Sequence, residues 1–148
     1  MKTRGLIYRF FIIFILLPLT SPLLSQPVVL DAKPTVRIYS DASSTTRSVL
    51  SKADQDNSRI RISKQGNRYI WVSRENTELM HHQAGASGAV HYFIDPRGGG
   101  YVKVFDREKV PKSPKSTRTP GPRYEYMEHL TLLLGSITYW GATDTFEP

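Results

Sequence analysis

The stretch that decides the fold runs from Arg59 to Asp106. It begins Arg59-Ile-Arg-Ile-Ser-Lys-Gln-Gly-Asn-Arg-Tyr-Ile-Trp-Val-Ser73 and ends Val90-His-Tyr-Phe-Ile-Asp-Pro-Arg-Gly-Gly-Gly-Tyr-Val-Lys-Val-Phe-Asp106. In the first part, isoleucines alternate with polar residues and Gly66-Asn67 precedes a second apolar run, which is the pattern of a β-hairpin. In the second part, Asp95 to Gly100 supplies turn residues between two β-branched and aromatic runs. The stretch therefore predicts two antiparallel hairpins joined by a polar connection.

Three further short strands are predicted before these hairpins. They cover Val28–Leu30, the alternating run Thr35–Tyr39, and Ser48–Leu50. In the second of them, Val36 and Ile38 alternate with Arg37, which predicts that the two apolar side chains share a buried face.

The C-terminal part of the chain has a different pattern. Met127, Leu130 and Leu134 fall at helical spacing, which predicts an amphipathic helix to about Leu134. The following run, 137–140, either continues this helix or forms a last strand. Because an apolar helical stripe needs a partner, we expect the helix to pack on the sheet. The predicted fold is mainly β (α+β), a small antiparallel sheet or partly open barrel of about five or six strands with one C-terminal helix packed on it.

The N-terminus has the pattern of a secretory signal peptide. Three basic residues precede the apolar run Phe10–Leu17, and prolines and small polar residues follow it. We therefore expect residues 1–25 to be a signal peptide, with an uncleaved membrane anchor as the alternative. Residues 27–148 are predicted to form a single β-rich domain in a secreted or periplasmic protein.

Charge and cysteine content narrow the possible partners. The chain has a formal net charge of +7, and without the first 25 residues it keeps 17 basic and 13 acidic residues, a net charge of +4. Such a bias favours contact with anionic lipid, a cell-wall polymer or an acidic exported protein, while the leader argues against nucleic acid as a partner. The absence of cysteine excludes disulfides and thiol chemistry.

Residues 107–123 are predicted to be an exposed, basic, proline-rich loop, because four prolines interrupt them and no apolar period survives. Its basic residues are the candidates for contact with an anionic surface: Arg107, Lys109, Lys112, Lys115 and Arg118.

One segment resembles a known family. Val36-Arg37, the small-polar loop Ser40–Thr46, Val49-Leu50 and the run Tyr69-Ile-Trp-Val72 follow the order seen in bacterial Src-homology-three-like domains of exported proteins. The resemblance covers about residues 35–72. It implies a small barrel and a cell-wall or peptide ligand.

No motif in the sequence predicts catalysis. The histidines that could bind a metal are His81, His82, His91 and His129, with Glu75, Glu78, Asp95 and Glu128 as available carboxylates. Their spacing matches no zinc motif, so we predict no metal and no other cofactor. No serine lies in a nucleophile elbow, and Gly98-Gly99-Gly100 lacks the lysine of a phosphate-binding loop. We therefore name no catalytic residue and favour a non-catalytic protein over an enzyme.

An aromatic face is the candidate for ligand binding. Tyr69 and Trp71 project from the same face of one predicted strand, where they could stack on sugars or hold a peptide instead of filling the core. The candidate ligand-binding residues are Tyr69, Trp71, Arg61, Arg68, His91 and Tyr92.

Three functions are compatible with these observations. The favoured one is an exported, non-catalytic binding or envelope-associated structural module. The alternatives are a small secreted hydrolase that uses histidines or carboxylates, and a secreted factor that binds a partner protein through a sheet edge or the basic loop. A module requires an exposed aromatic face and an enzyme requires converging histidines in a pocket, whereas a partner-binding factor requires an unpaired strand edge.

Overall fold

The structure, a computed structural model, describes residues 26–85, 87–109 and 120–148. The predicted signal peptide lies outside the described residues. The described residues form ten strands and one six-residue helix, in the following order: β1 Val28–Ala32, β2 Val36–Asp41, β3 Thr45–Val49, α1 Lys52–Asn57, β4 Ile60–Gln65, β5 Arg68–Trp71, β6 Thr77–Ala84, β7 Val90–Ile94, β8 Gly100–Asp106, β9 Tyr124–Leu132 and β10 Gly135–Thr143.

The ten strands form a single antiparallel sheet that curls into a half-barrel. The strand order is β1-β4-β5-β6-β7-β8-β9-β10-β2-β3, so β4 to β10 follow one another as a meander and the β2–β3 hairpin extends it beyond β10. The curl brings the C-terminal tail back to the first strand. There Phe146 forms an isolated antiparallel β-bridge with Leu30, and the Glu147 amide donates a hydrogen bond of 3.0 Å to the Val29 carbonyl. The tail therefore covers the edge of β1.

The core fills the concave side of this curl. Along each strand, successive side chains point to opposite faces of the sheet, so every second residue of the meander points inward. Trp71, Phe93 and Tyr126 are the largest of these inward side chains, and each is at most 2% exposed. The whole cluster consists of Val29, Leu30, Ala32, Ile60, Ile62, Trp71, Leu79, Phe93, Val102, Val104, Tyr126 and Phe146.

The predicted fold class is wrong in its C-terminal helix. Residues 124–132 form β9, a central strand that pairs with β8 on one side and β10 on the other. Tyr126, Glu128 and Leu130 point inward with the two-residue period of a strand, whereas Met127 lies on the outer face and Leu134 lies in the turn. The apolar residues fit the period of a helix as well as that of a strand. The strand forms because pairing with β8 and β10 satisfies the backbone hydrogen bonds of residues 124–132 and also buries Tyr126.

The predicted number of strands is also wrong. The polar, histidine-bearing connection between the two predicted hairpins contains β6, which pairs with both β5 and β7. Its polarity reflects a strand with one exposed face, since Leu79 is buried while Glu78 and Met80 are exposed. The two predicted hairpins are present as β4–β5 and β7–β8, joined by β6 into one meander.

The segments that resemble the Src-homology-three-like family lie far apart in the sheet. β2 and β3 contribute the last two strands of the sheet order, whereas β4 and β5 lie next to β1 at its beginning. Membership of that family stays a prediction.

Candidate functional site

Two histidines meet on the concave face. His81 on β6 and His91 on β7 lie diagonally across the strand pair, and His81 Nε2 is 3.1 Å from His91 Nδ1. The ring planes differ by 9° and the ring centroids are 5.3 Å apart, so the rings lie nearly end to end. An N–H···N bond in this geometry needs one protonated nitrogen and one free lone pair. The pair is therefore compatible with at most one proton between the two facing nitrogens.

Burial disfavours a positive charge on either ring. It is the main cause that lowers the pKa of His81, and the neighbouring charges of His91, Lys64 and His82 act in the same direction. Burial also lowers the pKa of His91, together with the charge of Lys109, while the Gly88 carbonyl and Asp106 oppose this shift. Both rings are therefore held in the neutral form more strongly than a solvated histidine.

This arrangement predicts a loss of stability in acid. A histidine whose folded pKa is depressed stabilises the fold fully above its unfolded value near 6.5 and loses that contribution as the pH falls through the folded pKa. We expect the free energy of unfolding to fall less between pH 7.5 and 5 in His81→Gln than in the wild type, because the cost of charging a buried ring at position 81 is removed, together with its repulsion from His91.

Urea denaturation at the two pH values measures this difference, and His82→Gln, on the outer face of the same strand, is the matched control. Equal acid-induced losses in the wild type and His81→Gln would contradict the predicted role of the pair.

His91 also lines a small pocket, but the two histidines do not complete a metal site. His91, Lys109, Tyr124 and Phe146 are among the residues that line a cavity of about 230 Å³. Asp106, also in its wall, is buried and paired with Arg123 at 2.8 Å, and this hydrogen bond lowers the pKa of Asp106. Among the described residues, no three His, Asp or Glu side chains are grouped so that they could hold a metal ion. Two histidines alone provide fewer than the three protein ligands of a catalytic zinc.

A second polar cluster lies deeper in the curl. Glu128 is fully buried, and its Oε2 accepts a hydrogen bond of 2.9 Å from Arg74, a residue of the β5–β6 turn. Burial raises the pKa of Glu128 to about 7, while Arg74 lowers it; Trp71 lowers it as well, although its Nε1 lies outside hydrogen-bonding geometry. Burial also raises the pKa of Tyr126. These groups are shielded from solvent, so the cluster acts on the stability of the fold (see Discussion).

A third feature is open to solvent. Beyond the core, the concave face continues across β10, β2 and β3 into a groove of about 340 Å³ lined by Arg37, Tyr39, Thr46, Ser48 and Ile137, which we call the edge groove. The register explains why these side chains share a face, since Ile137 pairs with Tyr39 and Tyr39 with Thr46, while Arg37 pairs with Ser48. Arg37 forms no ion pair with any acidic side chain in the described ranges, so the groove carries an uncompensated positive charge.

The groove ends at an unpaired strand edge. β3 is last in the sheet order, and within the part of the chain that the structure describes, only β2 pairs with it. The hydrogen bonds from Asp41 N to Ser44 O and from Leu50 N to Thr35 O fix the alternation of the β2–β3 ladder. It follows that the backbone groups of Thr45, Arg47 and Val49 point away from β2, toward the free edge.

The predicted ligand-binding residues are distributed over both faces. Trp71 is buried at 2% exposure, and Tyr69 packs against the core with its ring centroid 4.8 Å from that of His81. His91 lies on the same concave side, beyond His81. Tyr92 lies on the outer face, where Lys103 stacks over its ring. Arg61 and Arg68 are exposed on the outer face as well, and Arg68 pairs with Glu78 at 3.5 Å. The structure therefore brings Tyr69, Trp71 and His91 to one side of the sheet and does not bring all six residues together.

The predicted anionic-surface residues are described in part. Arg107 pairs with Glu125 at 3.3 Å and donates to the Pro122 carbonyl, and Lys109 is exposed beside the histidine pocket. Lys112, Lys115 and Arg118 lie outside the described residues. Contact of these residues with an anionic surface stays a prediction.

The edge groove was missed from the sequence although its strand was found. From the sequence, Val36 and Ile38 are predicted to share a buried face. In the structure both lie half-buried on the outer face, while Arg37 and Tyr39 face the groove. β2 lies beyond the part of the sheet that wraps the core, so alternation predicted the strand but not which face would be covered. The signal available in the sequence was the run Thr45–Val49, which contains one apolar residue and no apolar alternation, as expected of a strand with two open faces.

Comparison with protein-family models, curated proteins and solved structures finds no match to this chain. In the described ranges, no helix has the length and apolar character needed to cross a membrane.

Proposed function

We propose that this domain is a non-catalytic module that binds an extended segment of a partner protein by adding it as a further strand beside β3. The observation that carries this proposal is the free edge of β3 at the end of a ten-stranded sheet. Such an edge presents a row of backbone donors and acceptors that another strand can pair with.

The side chains beside the edge define the segment that fits. Neighbouring strands lie about 4.8 Å apart, so an added strand would place its inward side chains next to Thr46 and Ser48. These two side chains are small, and Tyr39 and Arg37 lie directly behind them. The groove therefore favours an apolar side chain facing Tyr39 and an acidic side chain, two residues along, facing Arg37.

A second arginine supports the same preference. Arg47 on β3 carries its side chain on the outer face and, like Arg37, is paired with no acidic side chain in the described part of the chain. An acidic segment would therefore meet positive charge on both faces of the added strand, which favours association and fixes its orientation.

Replacing Arg47 with proline tests the strand-addition mechanism. Proline removes the outward amide of residue 47 without removing any hydrogen bond to β2, and it is tolerated on edge strands. The probe is a fluorescent peptide with inward-facing residues that alternate between valine and glutamate, Val-Thr-Glu-Thr-Val-Thr-Glu-Thr, and binding is followed by fluorescence anisotropy. We expect Arg47→Pro to weaken binding about tenfold or more, since one backbone bond and the local strand pairing are lost.

Two controls separate the backbone from the side chains. Arg47→Ala keeps the amide, and the outward residues of the probe are threonines, so it is expected to change binding by less than about twofold. Arg37→Glu is expected to reverse the preference toward a peptide with lysine in place of glutamate. Unchanged binding by Arg47→Pro would refute strand addition at β3. Equal binding of the glutamate and lysine peptides by the wild type would refute the preference for an acidic segment.

A further inference from the structure

The turn between β9 and β10 exposes three consecutive leucines, Leu132, Leu133 and Leu134, which we call the leucine tip. Leu132 pairs with Gly135, so Leu133 and Leu134 form a two-residue connection and are 97% and 80% exposed. The backbone does not require these residues, because neither has a positive φ angle. The hairpin β4–β5 makes the same kind of short connection with Gly66 and Asn67. Turn chemistry therefore does not explain the choice of leucine.

The part of the β9–β10 hairpin that follows His129 carries no charged side chain. From Leu130 to Thr143 the chain contains no Asp, Glu, Lys, Arg or His. The ionised groups on the adjacent turns already have partners, since the Asp41 carboxylate accepts from the amides of Ser43 and Ser44, and Arg97 pairs with Asp95. Burial of the leucine tip therefore does not remove water from any ionised side chain of the tip itself.

The leucine tip lies at the opposite end of the β8–β9 strand pair from the described ends, residues 107–109 and 120–123, of the basic segment 107–123. Leu130 pairs with Gly100 at one end of the β8–β9 pair, whereas Tyr124 pairs with Asp106 at the other end, where residues 107–123 are connected. A seven-residue strand spans roughly 23 Å at the usual rise per residue. Contacts made by the leucine tip and by the basic segment can thus be measured separately.

We propose that the leucine tip docks this protein on a lipid bilayer by inserting Leu133 and Leu134 between the lipid headgroups. The tip is a projection without polar side chains, and a bilayer interface accepts apolar side chains that extend beyond a polar rim. A protein partner would instead need a matching pocket and directional hydrogen bonds, for which the tip offers only Thr131 and Ser136 beside it.

The absence of cysteine allows a direct test on the full chain. A single thiol introduced as Leu133→Cys is labelled with a polarity-sensitive fluorophore and mixed with neutral phosphatidylcholine vesicles that contain a lipid quencher in the acyl chain. We expect a blue shift and quenching that persist at high salt, because the contact is apolar. Adding Leu134→Ser in this background is expected to lower the vesicle-dependent signal about tenfold, as one buried leucine is lost.

Asn67→Cys is the matched control at the opposite end of the sheet, in the β4–β5 turn. Lys64, close to this turn, donates to the Pro27 carbonyl, so anchoring through residues 1–25 would act first on the Asn67→Cys probe. Only insertion of the leucine tip makes the Leu133→Cys signal the larger of the two. Equal emission from both probes would overturn the proposal. A signal that requires phosphatidylglycerol and vanishes at high salt would assign the contact to the basic segment instead. Shielding of the Leu133→Cys probe without lipid, rising with protein concentration, would assign the tip to self-association.

Discussion

Replacing Glu128 with alanine is expected to lower the free energy of unfolding by about 3 kcal/mol or more, among the largest effects of any single substitution in this domain. The carboxyl group is fully buried and accepts its hydrogen bond from Arg74. Alanine would leave the Arg74 guanidinium without that acceptor and would open a cavity beside Trp71 and Tyr126. Denaturation by urea, followed through the fluorescence of the buried Trp71, measures the loss.

Glutamine at the same position should behave differently, and the difference depends on pH. Because the folded pKa of Glu128 is raised to about 7, the neutral carboxyl stabilises the fold fully below the unfolded value near 4.5, and this contribution is lost as the pH rises through 7. Glu128→Gln removes that dependence, so at pH 8 it is expected to be at least as stable as the wild type.

Glu125 supplies the control for these measurements, since it lies on the outer face of the same strand with a half-exposed side chain paired to Arg107. Glu125→Gln is expected to change the free energy of unfolding by less than about 0.5 kcal/mol. If Glu128→Gln were as destabilised as Glu128→Ala at pH 8, the ionised carboxylate would be the stabilising form, contrary to the direction of its pKa.

Replacing Gly100 with alanine is expected to cost about 3 kcal/mol, again measured by denaturant unfolding. Gly100 has a φ of 147°, and a Cβ at this position would overlap the carbonyl oxygen of His129 and approach the Leu130 Cα to 3.2 Å. These are backbone atoms of the central strand β9, so relief requires β8 and β9 to separate.

Gly98, in the same turn, is the matched control. It also has a positive φ, of 84°, but a Cβ there would meet nothing within 4 Å. Gly98→Ala is therefore expected to cost only the backbone strain, about 1 kcal/mol. Equal costs at the two positions would mean that the close approach of β8 and β9 does not limit the residue at position 100.

The two hairpins could be predicted because their signals are local. Gly66-Asn67 and Asp95 to Gly100 specify turns by their own backbone preferences, and the flanking residues alternate with a period of two. β6 and β9 could not be assigned with the same rules. Glu78, Met80 and His82 make β6 resemble a loop, and Met127, Leu130 and Leu134 fit a helix as well as a strand.

The candidate sites, too, divide into features with a local sequence signal and features that depend on strand pairing. The histidines were recognised as a group, but only the diagonal pairing of β6 and β7 brings His81 and His91 to 3.1 Å and leaves His82 and His129 on the outer face. In the sequence, Glu128 is an available carboxylate within a predicted helix, and its burial depends on a strand, β9, that the sequence did not predict. The edge groove joins residues almost 100 positions apart, so no local pattern could reveal it.

By itself, the sequence determined the local features of this protein: which segments turn, which alternate, where positive charge collects, and that no cysteine chemistry is possible. Three features depend on the fold as a whole: the meander curls around its own core, β3 is the last strand of the described sheet, and the leucine tip projects from the sheet. The physical reason is that turns and alternation depend on neighbouring residues, whereas burial depends on which distant strands pair and which face they cover.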